Sequence, residues 1–416
     1  MIKWLRNKLN SHKQFFSSFG VMICLTIVGN LFQVAAFYFL KKLNEESFAQ
    51  INFGIYVWVL LSIVNISFGK WLTIELSKLN PAKRFPFFAA VFKKSFFPLA
   101  GIVVLIALVL LLSSQDASLV IFLCFISGIV GIVAVFVSSW INAREWFLLL
   151  GLSLVVAPVI RLINTIFFVS DDNIWILFVG FIVAALLAIG FLGWYIWSKD
   201  RNLLKLEDGE EEGAHVALGN VMLNTVLQTL LSTFWIADGV VLKNVLSDEL
   251  YNIYVCYAYV FKFPLFICVS VITVVLGKNI FDKGMRNQFL KVFKVAMLLV
   301  IGSFGGVLLV ELVMEGLILS VLGYSDMVVH GLVYYFGFAW LVQMVVFFLF
   351  SFLLKMKGRV GILTWLIVLY SVSYIVSLLV FIQDIFTLLQ GILVQGLVFI
   401  IILLVRFSKD LFGEGD

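Results

Sequence analysis

Two cations, Arg161 and Lys262, stand deep inside long apolar runs of this 416-residue chain. An ionisable group in hydrocarbon costs about 2.5–3.5 kcal/mol on insertion scales, so such residues mark places that bind an opposite charge or line water. Arginine's planar fork donates two parallel hydrogen bonds and lysine supplies a point charge, a combination suited to a phosphate. Each has a proline nearby, Pro158 and Pro264, able to kink its helix and free backbone groups. Asp238, beside Gly239, is the acidic counterpart. It could pair with a cavity cation, hold a proton or a sodium ion that drives a cycle, or sit at the membrane surface, and its position in the run leaves all three open.

Neutral polar residues accompany these charges. Asn164 and Thr165 follow Arg161 at helical spacing and share its face, as Asn224 and Gln228 share another. Asn30, Gln33, Asn65 and Gln343 also fall within apolar runs, where amides bond either to a ligand's hydroxyls or to neighbouring helices. Tyr251 and Tyr254 read as an interfacial aromatic belt, whereas Tyr257 or Tyr259 facing inward would stack on a sugar-like ring. Glu311 and Glu315, four apart, read as markers of the membrane surface. Four cysteines (Cys24, Cys124, Cys256, Cys268) and three histidines (His12, His215, His330) show none of the spacings that metals or redox motifs need, so no metal and no cofactor is expected. The chain lacks G-x-x-x-x-G-K-[ST], which rules out direct drive by ATP through such a loop.

The elements that position these residues follow from composition. Residues are 63% hydrophobic and 13% charged, against roughly 45–50% and about 25% in soluble domains, which excludes an ordinary soluble protein. A bilayer-spanning helix needs about 20 apolar residues. Runs of that kind lie near 17–40, 50–72, 95–113, 118–142, 146–169, 174–197, 216–242, 250–277, 292–314, 327–354, 361–382 and 384–405, predicting an all-α polytopic membrane protein of about twelve spans. With the N-terminus inside, 24 of the 29 basic residues fall on the cytoplasmic side and 3 outside, so both termini are expected in the cytoplasm. The net charge of +5 then reflects topology, and no nucleic-acid partner is expected. Residues 80–95 interleave Lys83, Arg84, Lys93 and Lys94 with phenylalanines and read as an interfacial segment on the anionic inner leaflet, in contact with membrane lipids. The acidic stretch Ser198–Gly213 falls at the midpoint, dividing the chain into six-helix bundles at 1–197 and 215–416 joined by a cytoplasmic linker at 198–214.

A weak internal repeat runs at a constant offset of 203 residues, Asn44-Glu45-Glu46 to Tyr56 against Ser247-Asp248-Glu249 to Tyr259. Asn44 and Ser247 read as helix N-caps with acids in the first turn. Twelve spans, inner termini, the acidic mid-chain linker, Phe53-Gly54-Ile55-Tyr56, and Asp238 with Leu246-Ser247-Asp248-Glu249 and Tyr259 resemble the Wzx-type polysaccharide and O-antigen flippases. These belong to the superfamily that also holds the MATE drug exporters, and this chain departs from them in having few glycines early in its first span. The motif match covers about a fifth of the chain.

The resemblance implies a MATE-like fold and a flippase of the bacterial inner membrane. Its substrate would be an undecaprenyl-pyrophosphate-linked oligosaccharide, moved to the outer leaflet by alternating access. On that reading Arg161 and Lys262 bind the pyrophosphate; Asp238, Asn164, Asn224, Gln228 and Tyr259 supply polar or ion-coupling groups; a proton or sodium ion drives the cycle; and a polysaccharide polymerase is a partner. A cation-coupled drug exporter of the same fold is the alternative, although its site would be expected to be acidic or apolar. A membrane polymerase is the weakest reading, because the outer segments are short and carry no arginine, so no enzyme is expected.

Overall fold

The computed structural model describes residues 27–113, 117–144, 146–201, 218–261, 304–311, 316–321, 324–329, 331–357, 361–381 and 384–412, with a few isolated positions besides. Everything regular among them is helical: α1 (Ile27–Leu40), α2 (Glu45–Lys78), α3 (Pro81–Ser113), α4 (Ser118–Ala143), α5 (Phe147–Phe167), α6 (Ile176–Asp200), α7 (Leu218–Lys243), α8 (248–261), α9 (304–311), α10 (Leu332–Lys357), α11 (Gly361–Val380) and α12 (Ile385–Phe412), with one short helix, Leu317–Val321, and two 3₁₀ turns. Among the described residues eight helices are long and apolar enough to cross a membrane, and nine if the two parts of α7, bent by 63° between Leu231 and Ile236, count as one span. The chain is an all-helical membrane protein.

Helix starts follow the capping residues. Asn44 Oδ1 accepts the Ser47 N–H at 2.8 Å, with Glu45 and Glu46 in the first turn of α2. Ser247 Oγ accepts the Leu250 N–H at 3.4 Å at the start of α8, so both copies of the repeat are capped alike. Pro81 occupies the first position of α3, where its missing N–H costs nothing.

The segment 80–95, expected at the inner interface, is the first part of α3, a continuous 33-residue helix that runs on into the span. Phe, Ala and Lys are compatible with helix, and the aromatic side of this stretch has something to bury against. Phe87, Phe88, Val91 and Phe92 pack with Phe68, Trp71, Leu72 and Leu76 of α2 and Ile132 and Phe136 of α4. Pro86 and Pro98 each remove one backbone bond without ending the helix.

The helices gather into two compact units. One holds α1, the second half of α2, α3 to α6 and the start of α7; the other holds the first half of α2, the rest of α7 and α8 to α12. In the first, α4 packs against α3, α5 and α6. Glycines bring α1 and α5 together, since a Cβ on Gly29 would stand 3.2 Å from the Leu154 carbonyl and one on Gly151 would overlap Leu25. The C-terminal ends of α4 and α6 are tied by an ion pair, Arg144 to Asp200 at 2.6 Å, with the Trp140 indole N–H donating to the same carboxylate at 3.0 Å.

In the second unit α10, α11 and α12 meet around an amide network. Gln343 Nε2 donates to the Ile392 carbonyl at 2.7 Å and to Gln395 Oε1 at 2.9 Å, and the Tyr370 hydroxyl donates to Gln343 Oε1. Gln343 is thereby a helix-packing residue. Glu311, expected at the membrane surface, is buried and accepts the Gly316 N–H at 2.8 Å. Gly316 has φ +71, a left-handed turn that leaves its N–H in need of an acceptor, and the carboxylate supplies it.

Candidate functional site

Two buried charges stand out, one in each unit. Arg161 lies on α5, which ends at Phe167, six residues on, or about 9 Å of helix. Its side chain is 7% exposed, and its guanidinium carbon stands 4.4 Å from the centroid of the Phe181 ring on α6. Asn164, one turn on, meets Gly180 of α6 so closely that a Cβ there would come within 1.9 Å of its amide nitrogen. The Thr165 hydroxyl donates back to the Arg161 carbonyl at 2.9 Å, and Lys42 Nζ caps the end of α5 by donating to the Thr165 carbonyl at 2.8 Å. A lysine at a helix C-terminus is the favourable sign for the helix dipole. The turn that carries Arg161 is therefore fixed by α6, by its own helix and by Lys42. The contact with the ring uses the charge of the guanidinium, whose N–H donors suit an oxyanion.

Asp238 lies on the second half of α7, past the bend, and is fully buried. The Tyr254 hydroxyl of α8 donates to its Oδ2 at 2.5 Å. Tyr251, one turn earlier, donates to the Gly239 carbonyl at 2.9 Å. Tyr56 of α2 lies flat against Gly239, where a Cβ would stand 2.3 Å from its ring carbons. Tyr56, Tyr251 and Tyr374 of α11 all lie within electrostatic reach of the Asp238 carboxylate. Four tyrosines from three helices thus surround one acid.

Tyr251 and Tyr254 are accordingly not a surface belt. A phenol buried in a dry interior needs a hydrogen-bond partner, and the acid and a carbonyl of α7 provide two. Tyr257 does face inward, yet its hydroxyl is held by the Val329 N–H at 2.9 Å and its ring stacks on Phe336 at 5.4 Å. Tyr259 is half-buried and lies within electrostatic reach of Tyr56 and Tyr324.

Lys262 lies outside the described residues, as do Glu315 and the side chains of Asn224 and Gln228. Arg161 and Asn164 are brought together on one helix face, and Asp238 stands apart from them in the other unit. Tyr374 was not singled out from the sequence, although Tyr370 and Tyr374 at i, i+4 in an otherwise aliphatic span were a usable signal.

No family model and no curated protein matches the chain. Solved structures do. The eukaryotic MATE transporter AtDTX14 is similar over 96% of this chain and 96% of its own, with a TM-score of 0.64 at 15% identity. A mutant of the Vibrio cholerae MATE transporter VcmN is similar over 97% of both chains, with a TM-score of 0.65 at 17% identity. A multidrug resistance MATE family transporter of the MOP superfamily, in an outward-facing conformation, gives 0.60 at 10% identity over 95% of each. The chain has the MATE fold from end to end.

Proposed function

We propose that this MATE-fold protein is a flippase of the bacterial inner membrane, carrying an undecaprenyl-pyrophosphate-linked oligosaccharide to the outer leaflet by alternating access of the halves 1–197 and 215–416. The observation that carries the reading is Arg161, a guanidinium buried against Phe181 and the one charged residue of its span. A permanent cation in that setting favours an anionic ligand, and pyrophosphate matches its forked donors. Lys262 serves the same anion, with Asn164, Asn224, Gln228 and Tyr259 as polar contacts to the glycan. Asp238 in its tyrosine surround takes up the proton or sodium ion that drives the cycle.

Complementation tests this. The native gene is deleted and the chain supplied as wild type, Arg161→Ala, Lys262→Ala or the double variant. Loss of surface polymer with lipid-linked oligosaccharide accumulating on the inner leaflet, at normal protein levels, is the expected result. Full activity of the double variant would refute the anion site. The surround of Asp238 favours a second reading, since an acid walled by aromatic rings is also what a cationic compound would meet. Efflux of cationic dyes from proteoliposomes, undiminished in Arg161→Ala and abolished in Asp238→Asn, would select it.

A further inference from the structure

Helix α3 carries one lipid-facing stripe that runs its upper length: Phe97, Val104, Leu105, Leu108, Val109 and Leu112 are exposed, the first by 78% and the last by 84%. Lys93 and Lys94, both exposed, end this stripe on the side that collects the basic loops. From Lys93 to Leu112 is 19 residues, about 29 Å of helix, which matches the roughly 30 Å hydrocarbon core. Both ammonium groups therefore lie at the level of the inner-leaflet phosphates, within the reach of a snorkelling lysine.

They differ from the other cations nearby. Arg84 is spent on the Leu79 carbonyl at 3.1 Å and the Ala143 carbonyl at 3.2 Å, and Arg144 is paired with Asp200. Lys93 and Lys94 engage no protein group among the described residues. One turn deeper Phe97 projects from the same face, and one turn beyond that Gly101 leaves open surface, since a Cβ there would meet nothing within 4 Å.

We propose that Lys93 and Lys94 bind the phosphate of an anionic phospholipid of the inner leaflet, whose acyl chain passes over Phe97 and the open surface at Gly101 along Leu105 and Leu108. Two cations at the phosphate level supply the head-group attraction, and the aromatic-glycine-leucine succession gives the chain a track. The site stands independently of the transported substrate.

Photo-crosslinking tests it on the full-length protein in bilayers. Phosphatidylglycerol and phosphatidylcholine, each with a diazirine on one acyl chain, are compared at equal concentration, and crosslinks are mapped by mass spectrometry to the peptide around Phe97–Leu105. The expected yield favours phosphatidylglycerol by up to about tenfold at low salt, from two lysines in contact with one anionic head group. In Lys93→Gln/Lys94→Gln the ratio falls to near one, and in Lys93→Arg/Lys94→Arg it is kept. An equal yield for the two lipids in the wild type, or a ratio unchanged in the double Gln variant, would overturn the proposal. Lys93 and Lys94 are both exposed, so each variant is expected to fold and to keep the wild-type melting profile.

Discussion

Gly239→Ala probes the packing beside Asp238 most directly. An added Cβ would stand 2.3–2.4 Å from three ring carbons of Tyr56, whereas carbon atoms rest at about 3.5–4.0 Å. The half-buried ring must retreat by more than 1 Å, so overpacking should cost about 1–3 kcal/mol. Against this, alanine in a helix interior is better than glycine by about 0.8–1.0 kcal/mol. The two terms separate in a second background. In Tyr56→Ala the ring is gone, the clash vanishes and only the helix term remains. Gly239→Ala should then destabilise the wild type by up to about 2 kcal/mol and stabilise Tyr56→Ala by up to about 1 kcal/mol, a coupling of about 1–3 kcal/mol within the range measured for residues in contact. Unfolding in mixed micelles gives both differences from four proteins. Equal effects of Gly239→Ala in the two backgrounds would show that Tyr56 does not occupy this space, and the description of the tyrosine surround would fail with it.

Gln343→Leu removes three hydrogen bonds at the meeting of α10, α11 and α12, each worth on average about 0.6 kcal/mol in a membrane protein, so a loss near 2 kcal/mol is expected by the same unfolding assay. Arg144→Gln leaves the buried Asp200 carboxylate with only the Trp140 indole among its described partners, and should lower stability by about 3 kcal/mol, less if water reaches the carboxylate; Asp200→Asn restores part of it in the double variant. Asp384, which precedes the span of α12, accepts the Thr387 hydroxyl at 2.6 Å and the Thr387 N–H at 2.8 Å, and these bonds hold its carboxyl below the usual aspartate range. Its contribution is therefore complete above the ordinary aspartate range and is lost as pH falls through the lower folded value, so the difference in melting point between wild type and Asp384→Ala should shrink only in strong acid.

Much of this architecture is legible in the sequence, for reasons that can be located. Spans α4, α5, α6, α11 and α12 begin and end within a few residues of their apolar runs, because hydrocarbon tolerates only helices and the runs are bounded by charge. Asn44 and Ser247 are readable as caps because the acids behind them repeat at one offset. The start of α3 is not readable that way. Prolines and paired lysines look like an interruption, and only the aromatic partners on α2 and α4 make 81–94 part of one long helix. Burial of Glu311 and of Tyr251 and Tyr254 escapes the sequence for a similar reason: each pays for its polar group through a partner on the far side of a turn or on another helix, which spacing along one helix does not reveal. The bend in α7 carries no proline signal at all, since neither 231 nor any residue to 236 is proline.

Depth within the membrane adds a constraint on how Arg161 could act. On α6 the exposed Trp175 and Trp197 are 22 residues apart, about 33 Å, and mark the two interfaces. Phe181, against which Arg161 stacks, is six residues inside Trp175, about 9 Å below the interface opposite the basic loops. Arg161 therefore lies in the outer third of the hydrocarbon and not at its centre. A pyrophosphate arriving from the inner leaflet would meet it late, after most of the crossing, so the guanidinium would act on the outward half of the cycle. On that geometry Arg161→Ala should leave capture at the inner leaflet intact and slow delivery outside. Reduced capture at the inner leaflet in this variant would refute that order and mean that the arginine holds the substrate from the start.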